Sequence, residues 1–466
     1  MKQYDIAIYG LGVMGASLGK NFISKGFATA LYGKSEAERE RFQAEGEFAV
    51  FQTEEDMVRS LKSPRTIFMM VTAGSVTDEV MERLIPLLDA GDILIDGGNS
   101  HFKDTQRRCE RMAKEGMLFL GVGVSGGELG ALLGPSMMAG GDKLAWNACG
   151  NILEKIAAKT EDGYCCDYLG KEGAGHYVKM VHNGIEYAMI QVIADMYSIM
   201  KDGLSLSQEE ITRLFVEWQN TEVGCYLVEI AGAILGKKDA DGLPLLDKIL
   251  DVAKQKGTGS WTLEEGIARG VYIPTITESV FARYFSAEKE MRKTGSQILQ
   301  AKTETISLEN HGEKLRNALY LSMVACYAQG IDLIAKASEV YNWEINLPLA
   351  VSLWKEGCII RSKMLPDIQK ALEKSSKNIM LSEEFAVVSK YEADLREIAV
   401  IAIKAGIAVP TYLSVLSYYD NCRTEKMNVN MVQALRDCFG AHTYERIDME
   451  GNFHTDWIGG NENENE

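Results

Sequence analysis

Proline is scarce in this chain, with 8 in 466 residues. Because proline concentrates in turns, edge strands and extended loops, its scarcity argues against a loop-rich or all-β protein. Histidine is scarcer still, 6 in all, and no H-E-x-x-H occurs. His176 and His182 stand six apart, a spacing that does not put two ligands on one helical face, so no metal centre is expected. Cysteine numbers 9, an odd count with no C-x-x-C and one adjacent pair, Cys165–Cys166. That pattern suggests neither a disulfide framework nor a zinc knuckle, and it fits reduced thiols in cytosol.

Positive charge is also short. Lys and Arg total 49 against 66 Asp and Glu, a formal net charge of −17, which excludes a general affinity for nucleic acid or anionic membranes. No apolar run approaches the roughly 18 residues of a membrane span. Even LREIAVIAIKAGIAV carries Arg396, Glu397 and Lys404. The apolar stretch in MKQYDIAIYGLGVMG is too short for a signal peptide, so a soluble, cytoplasmic protein is expected. A P-loop is missing too, since Gly232-Ala233-Ile234-Leu235-Gly236-Lys237 is one residue short between its glycines.

What is present reads as an ordinary globular chain, 46% hydrophobic and 25% charged, long enough for two or three domains. Over residues 1–173, short β-rich runs alternate with amphipathic helical stretches. Strands are expected at Tyr4–Tyr9, Ala28–Tyr32, Thr66–Val71, Ile93–Asp96 and Leu118–Gly121, and helices around Met14–Ser24, Val76–Leu88 and Asp104–Lys114. This alternation predicts an α/β, Rossmann-like doubly wound parallel sheet, whose ligands bind outside the carboxyl ends of the strands. Several strands run there into glycine-rich or polar turns: GLGVMG, VTAGS, DGGNS and GVGVSGGELG. Residues 174–430 read as a large all-helical domain, and 431–466 as a glycine- and charge-rich C-terminal tail.

Gly10-x-Gly12-x-x-Gly15, with Leu11, Val13 and Met14 between, follows the first strand and opens a helix. One glycine makes the tight turn, one admits a pyrophosphate against the backbone, and the last lets helix and strand pack closely. The helix N-terminus then offers free N–H groups and a positive dipole end to the phosphates. In an NAD site a carboxylate about 20 residues on reads the ribose 2′-hydroxyl. Residues 27–35 contain no Asp or Glu, and the second strand ends in Gly33-Lys34-Ser35. A cation and a hydroxyl suit a 2′-phosphate, which favours NADP.

Lys179, His182, Asn183 and Glu186 fall at i, i+3, i+4 and i+7 on one face of a helix that is otherwise apolar. Such a helix is buried, so the stripe must face a cavity or satisfied partners. Lys179 and Glu186 are about 10 Å apart along the axis, too far for an ion pair but suited to the two ends of a small molecule. A buried lysine gives up its charge readily and serves as general base, while a nearby carboxyl serves as acid. Candidate anchors for an anion are Lys256, in Lys256-Gly257-Thr258-Gly259, then Arg283 in TESVFARYF, and Arg436 and His442 in RDCFGAHTY. Spacing alone does not unite them.

Taken together, GLGVMG, IDGGNS, GVGVSGGELGA with GPSMMAGG, GAGHYVKMVHNGIEY, KGTGSWT, ITESVFARY and FGAHTYERID resemble the decarboxylating 6-phosphogluconate dehydrogenases over essentially the whole chain. The long helical run is the most specific of these. GLGVMG and the SGG turn are shared with the wider β-hydroxyacid dehydrogenases. The resemblance implies oxidation of 6-phosphogluconate at C3 and decarboxylation to ribulose 5-phosphate and CO2, with reduction of NADP, as in the oxidative pentose phosphate pathway. By the same analogy Lys179 is the general base, Glu186 the general acid, and no metal takes part. Asn99, Ser125, Gly126, Gly127, His182 and Asn183 would orient the sugar acid, and Tyr187, Lys256, Arg283, Arg436 and His442 would hold its phosphate. Val71, Thr72 and Ala73, with Asn99, would touch the cofactor. The helical domain would carry substrate binding and dimerisation, and the tail would bring Arg436 and His442 to the partner's site in a homodimer.

Two departures stand out. The family commonly reads Asn-Arg-Ser or Asn-Arg-Thr where this chain has Gly33-Lys34-Ser35, and Val-Lys-Ala-Gly where it has Val71-Thr72-Ala73-Gly74. Lysine lacks arginine's planar fork, so NADP preference would be weaker here. Two other readings compete: a β-hydroxyacid dehydrogenase for a short, unphosphorylated acid, and a catalytically silent NADP-binding regulator. The first would not need Lys256, Arg283 or His442, and the second need not retain both Lys179 and Glu186.

Overall fold

The computed structural model describes residues 3–254, 257–299, 304, 306–374 and 378–459. Its central sheet holds β1 (Ile6–Tyr9), β2 (Thr29–Tyr32), β3 (Thr66–Met69), β4 (Ile93–Asp96), β5 (Leu118–Ser125) and β6 (Ser136–Gly141). A small hairpin of β7 (Lys159–Thr160) and β8 (Gly163–Tyr164) precedes β9 (Cys166–Gly170), which completes the sheet in the order β2-β1-β3-β4-β5-β6-β9. The strands from β1 to β5 pair in parallel, with Ile6 opposite Thr29 and Ala7 opposite Ile67; β6 runs antiparallel to β5. Helices α1 (Val13–Ser24), α2 (Glu36–Ala44), α3 (Glu54–Arg59), α4 (Ser75–Leu84), α5 (Phe102–Lys114), α6 (Gly127–Leu133) and α7 (Lys143–Ile156) link and flank these strands.

The two-residue period of the strands feeds two cores. Ile6, Ile8, Phe68, Ile93 and Ile95 face one side, where Leu18 and Phe22 of α1 meet them. Ala7, Tyr9, Ile67, Met69 and Leu94 face the other, against Val80, Met81 and Leu84 of α4. Both faces are covered, which is why these strands read as unbroken apolar runs. The chain reverses between β1 and β3, and at this switch point the loops after the two strands lie side by side.

The expected strands and helices form with shifted ends. The largest difference is at β5, which continues through Gly121 and Gly123 to Ser125 rather than turning there. Its glycines mark close approach: a Cβ on Gly121 would lie 2.4 Å from Thr105 Cγ2, and one on Gly123 would lie 2.2 Å from Lys179 Cβ. Strands β6 and β9 were not expected, because SMMAGG and CDYLG carry no alternating pattern.

Beyond the sheet come α8 (Ala174–Ser198), α9 (Gln208–Trp218), α10 (Tyr226–Leu235), α11 (Thr258–Arg269), α12 (Pro274–Ser286) and α13 (Lys289–Ile298). They are followed by α14 (His311–Tyr341), α15 (Leu347–Ser352), α16 (Leu365–Glu373), α17 (Val388–Lys404) and α18 (Pro410–Arg423). One expectation is corrected here. The 31-residue α14 is long and apolar enough to cross a membrane, with mean hydropathy 1.4 over 18 residues, but 89% of that window is buried inside the protein. Its scattered polar residues hide the run in the sequence, and it serves as a core helix.

Residues to Val415 form one compact unit, and those from Leu416 a second. In the second, α19 (Val429–Gly440) is followed by an antiparallel hairpin of β10 (Tyr444–Glu445) and β11 (Asn452–Phe453). Asp437 organises it, accepting hydrogen bonds from Thr443 N, His454 Nδ1, Thr455 N and Trp457 Nε1 at 2.7–3.0 Å.

Candidate active site

The turn after β1 is built for a phosphate. Gly10 has φ +103°, and a Cβ there would stand 2.5 Å from the Met70 carbonyl oxygen; one on Gly15 would stand 1.9 Å from Gly10 O. Gly12 caps α1 without a side-chain hydrogen bond, no acid lies in the helix's first turn, and a Cβ on Gly12 would meet nothing within 4 Å. The first N–H groups therefore face open space with their dipole uncompensated, which fits a dinucleotide's pyrophosphate. At the end of β2, Gly33 is buried while Lys34 and Ser35 are exposed. Arg39 Nη1 donates to Gly33 O at 2.8 Å and Lys34 O at 3.2 Å, holding that corner.

The two loops that continue this edge are fastened together. Arg108 of α5 is fully buried; its Nη1 donates to Asp96 Oδ2 at 2.9 Å, its Nε to Asp78 Oδ1 at 2.9 Å, and its Nη2 to Gly74 O at 2.9 Å. Asp96 also accepts from Ser100 Oγ at 2.7 Å. One guanidinium thus ties VTAGS to DGGNS, using the fork that lysine lacks.

Helix α8 lies against the sheet, and its polar stripe forms a linked set. Lys179 Nζ donates to Asn183 Oδ1 at 2.8 Å and stands 3.2 Å from His182 Nδ1. His182 Nε2 lies 3.2 Å from Ser125 Oγ at the end of β5. His182 Nδ1 also lies 3.2 Å from Asn183 Oδ1, so the imidazole joins Lys179, Asn183 and Ser125 in one set. Lys179 is 5% exposed and forms no ion pair with any described residue, so burial lowers its pKa, opposed by the charge of Glu186. Burial and then the Lys179 charge keep His182 well below its usual value, hence neutral. Burial pushes the Glu186 carboxyl upward, against the pull of Lys179 and Arg283. The stripe therefore pairs a lysine whose pKa is lowered with a carboxyl whose pKa is raised, the two shifts that bring a base and an acid toward each other.

Close packing fixes the rest. A Cβ on Gly184 would touch Thr262 Cγ2 at 2.6 Å, and one on Gly259 would touch Tyr187 at 2.6 Å, so α11 lies directly on α8. Arg283 of α12 was expected to serve an anion, either a protein carboxylate or a ligand. Its guanidinium sits 3.4 Å from the centre of the Tyr187 ring, with the Lys254 carbonyl 3.5 Å from Nη1 and no carboxylate paired to it among the described residues. The cation is held by an aromatic face and left open to an anion.

Part of this set shares one cleft of about 890 Å³, which Gly10, Leu11, Gly12, Val13, Gly15, Gly33, Lys34, Ser35 and His182 do not line. It is lined by Met14, Val71, Thr72, Ala73, Asn99, Ser125, Gly126, Gly127, Lys179, Asn183, Glu186, Tyr187 and Arg283, all expected from the sequence. Thr258, from the KGTG turn already singled out, lines it too, as do Lys254, Trp261, His101 and Ile359, which were not. Trp261 follows the KGTG turn, which was the available signal; Ile359 comes from a distant loop and had none. Lys256 lies outside the described residues. Arg436 and His442 are exposed in the second compact unit, where Arg436 Nη1 donates to Gln433 Oε1 at 3.1 Å and the His442 ring meets Phe439 edge-on at 5.9 Å.

A glycine-turn dinucleotide site opening into a buried Lys–Glu helix defines the class: a nicotinamide-dependent dehydrogenase of the β-hydroxyacid type. The family model for the NAD binding domain of 6-phosphogluconate dehydrogenase matches residues 5–170, and that for the 6-phosphogluconate dehydrogenase C-terminal domain matches 175–457. The chain belongs to the 6-phosphogluconate dehydrogenase family. It is 46% identical to the decarboxylating 6-phosphogluconate dehydrogenase of Lactococcus lactis subsp. lactis (strain IL1403), over 98% of this chain and 99% of that one. Identity is 45% to the NADP(+)-dependent, decarboxylating enzyme of Bacillus subtilis (strain 168), over 98% and 100%. A solved 6-phosphogluconate dehydrogenase of Plasmodium falciparum, studied as apoenzyme and with NADP+ or 6-phosphogluconate, superposes with TM-score 0.94 at 36% identity, covering 97% of this chain and 100% of that one.

Proposed function

We propose that this chain oxidises 6-phosphogluconate at C3 and decarboxylates the product to ribulose 5-phosphate and CO2, with NADP as oxidant. The reading rests above all on Lys179 and Glu186, two turns apart on one buried helix face, in the cleft that the glycine turn opens into. The names of the full-length relatives agree with it.

When bound, the cofactor accepts the hydride from C3. Lys179, kept short of its usual basicity by burial, takes the proton of the C3 hydroxyl as the hydride departs. Now an ammonium, it polarises the new ketone; the C1 carboxylate leaves as CO2 and its bonding electrons pass into the enol. Glu186, its carboxyl pushed upward by desolvation, gives a proton to the former C2, which becomes C1 of the product, while the enol O–H proton returns to Lys179 and the ketone of ribulose 5-phosphate forms. Asn183 and His182 hold the Lys179 amine, and Ser125 fixes the imidazole. Asn99, Gly126 and Gly127 orient the sugar acid. Tyr187 and Arg283 receive the phosphate with Lys256, while Gly10–Gly15, Lys34, Ser35 and Val71–Ala73 hold the cofactor. The family segments, 5–170 and 175–457, support a cofactor-binding part over 1–173 and a substrate and dimerisation part over 174–430, with the tail from 431 reaching a partner.

A homodimer is part of this reading, with Arg436 and His442 serving the partner's site. Val429, Met431, Val432, Leu435 and Phe439 are all exposed on α19, an apolar surface suited to a second copy. Lys179→Met and Arg436→Ala variants, each inactive alone, should regain about a quarter of the wild-type sites on mixing equal amounts and exchanging subunits. No recovery would count against a shared site. The compartment is the cytoplasm, in keeping with the lack of any disulfide among the described cysteines.

The reaction is tested by an assay of NADPH and CO2 release with 6-phosphogluconate, gluconate and a short β-hydroxyacid in parallel. Turnover restricted to 6-phosphogluconate is expected. Equal turnover of unphosphorylated acids would replace the substrate assignment, and binding of NADP without turnover of any would favour the silent regulator.

A further inference from the structure

The end of β2 carries a group that its own residues do not supply. Between 27 and 35 there is no acid, yet Glu38, in the first turn of α2, folds back over Gly33. A Cβ on Gly33 would stand 3.2 Å from Glu38 Oε2 and 3.4 Å from Leu11 Cβ, so the carboxylate lies where the strand end meets the glycine turn. A capping box holds it: Ser35 N donates to Glu38 Oε2 at 3.4 Å, and Glu38 N to Ser35 Oγ at 3.2 Å.

The neighbouring guanidiniums are engaged on backbone carbonyls of this same corner. Arg39 is spent on Gly33 O, Lys34 O and Gln52 Oε1, and Arg41 Nη2 donates to Leu11 O at 2.9 Å. The Lys34 side chain at the same strand end is exposed, and its Nζ makes no hydrogen bond or ion pair with any described residue. A carboxylate only accepts hydrogen bonds, so it matches a ribose whose 2′-hydroxyl is free and repels a 2′-phosphate. In glycine-turn dinucleotide folds, the acid that selects NAD acts at the end of this strand.

Building on the dinucleotide reading above, we propose that Glu38 is a specificity-determining residue of the cofactor site. Its carboxylate receives the ribose hydroxyls of NAD, Lys34 receives the 2′-phosphate of NADP, and the chain uses both dinucleotides.

Binding to the full-length protein, by titration calorimetry with NADP, NAD, adenosine 2′,5′-bisphosphate and AMP, tests this without reference to turnover. Measurable binding of NAD as well as NADP is expected. Glu38→Gln preserves the capping box, since glutamine also accepts from the Ser35 N–H. It should weaken NAD and tighten NADP, moving their affinity ratio by about tenfold or more. Lys34→Gln should weaken NADP and adenosine 2′,5′-bisphosphate while leaving NAD and AMP unchanged. Absence of NAD binding in the wild type, or a ratio moved less than this by Glu38→Gln, overturns the proposal. Failure of both dinucleotides to bind overturns the cofactor reading itself, and the proposal with it.

Discussion

Arg108 and Asp96 form a fully buried ion pair, with Nη1 and Oδ2 2.9 Å apart, between a helix and the last residue of β4. The same guanidinium reaches Asp78 and the Gly74 carbonyl, so the positions of the loops after β3 and β4 depend on one side chain. Removing one partner of a buried pair strands the other charge. Arg108→Met should destabilise the protein by about 3–5 kcal/mol in a urea unfolding titration. Arg108→Lys, which keeps the charge but not the fork, should fold and show a raised KM for the cofactor. An unchanged KM in that variant would mean that the pair acts only on stability.

Lys179→Met should abolish NADPH formation and leave NADP binding nearly intact, as followed by calorimetry. The base acts unprotonated, so kcat/KM should fall as pH drops through the pKa of Lys179. Burial places that value below the 10.5 of an ordinary lysine. Wild-type-like turnover in the variant would remove the base assignment.

Glu186→Gln should lower kcat by about 10²–10⁴, the usual range for a general acid. Glu186 acts protonated, and burial raises its pKa, so wild-type kcat should decline on the alkaline side of that raised value. The glutamine variant should lose this dependence. Identical pH profiles for the two proteins would assign the alkaline limb to another group.

Asp195, further along α8, is buried with no cation paired to it among the described residues. It accepts from Thr411 N at 3.1 Å, Thr411 Oγ1 at 2.5 Å and Gln191 Nε2 at 2.8 Å. Burial outweighs these bonds and pushes its carboxyl up to about 6 from 3.8. The folded state therefore binds more protons than the unfolded one between those values, and stability falls as pH rises from about 4 to 6 by on the order of 3 kcal/mol. Asp195→Asn can keep the Thr411 bonds, with Gln191 turning its amide to accept. It should match the wild type in melting temperature near pH 4 and exceed it at pH 7.5; equal melting at both would refute the linkage.

The polar stripe of α8 was legible because the helical period alone aligns Lys179, His182, Asn183 and Glu186, and its apolar surroundings demand burial. The glycine turn and the loops VTAGS and DGGNS were legible from their place after apolar strand runs. Arg108 was not, since in FKDTQRRCERMAK it is one charge among several and only the folded sheet shows that its side chain is enclosed. Strand β5 was cut short because glycines read as a turn, when they make room for α8. Glu38 escaped a search confined to the strand end, because a helix cap carries its carboxylate back there. The stacking of Arg283 on Tyr187 joins two helices nearly 100 positions apart, a relation that no local pattern encodes.

At Gly123 the backbone of β5 touches the Lys179 side chain at its root, and at Gly140 the sheet touches the backbone of Gly175. With no side chain between them to compress or slide, the helix bearing the base and the sheet bearing the glycine turn have no hinge at this seam. The distance between base and sheet is therefore set by backbone contact, and any side chain added at Gly123 or Gly140 would push the helix that carries the base off the strands.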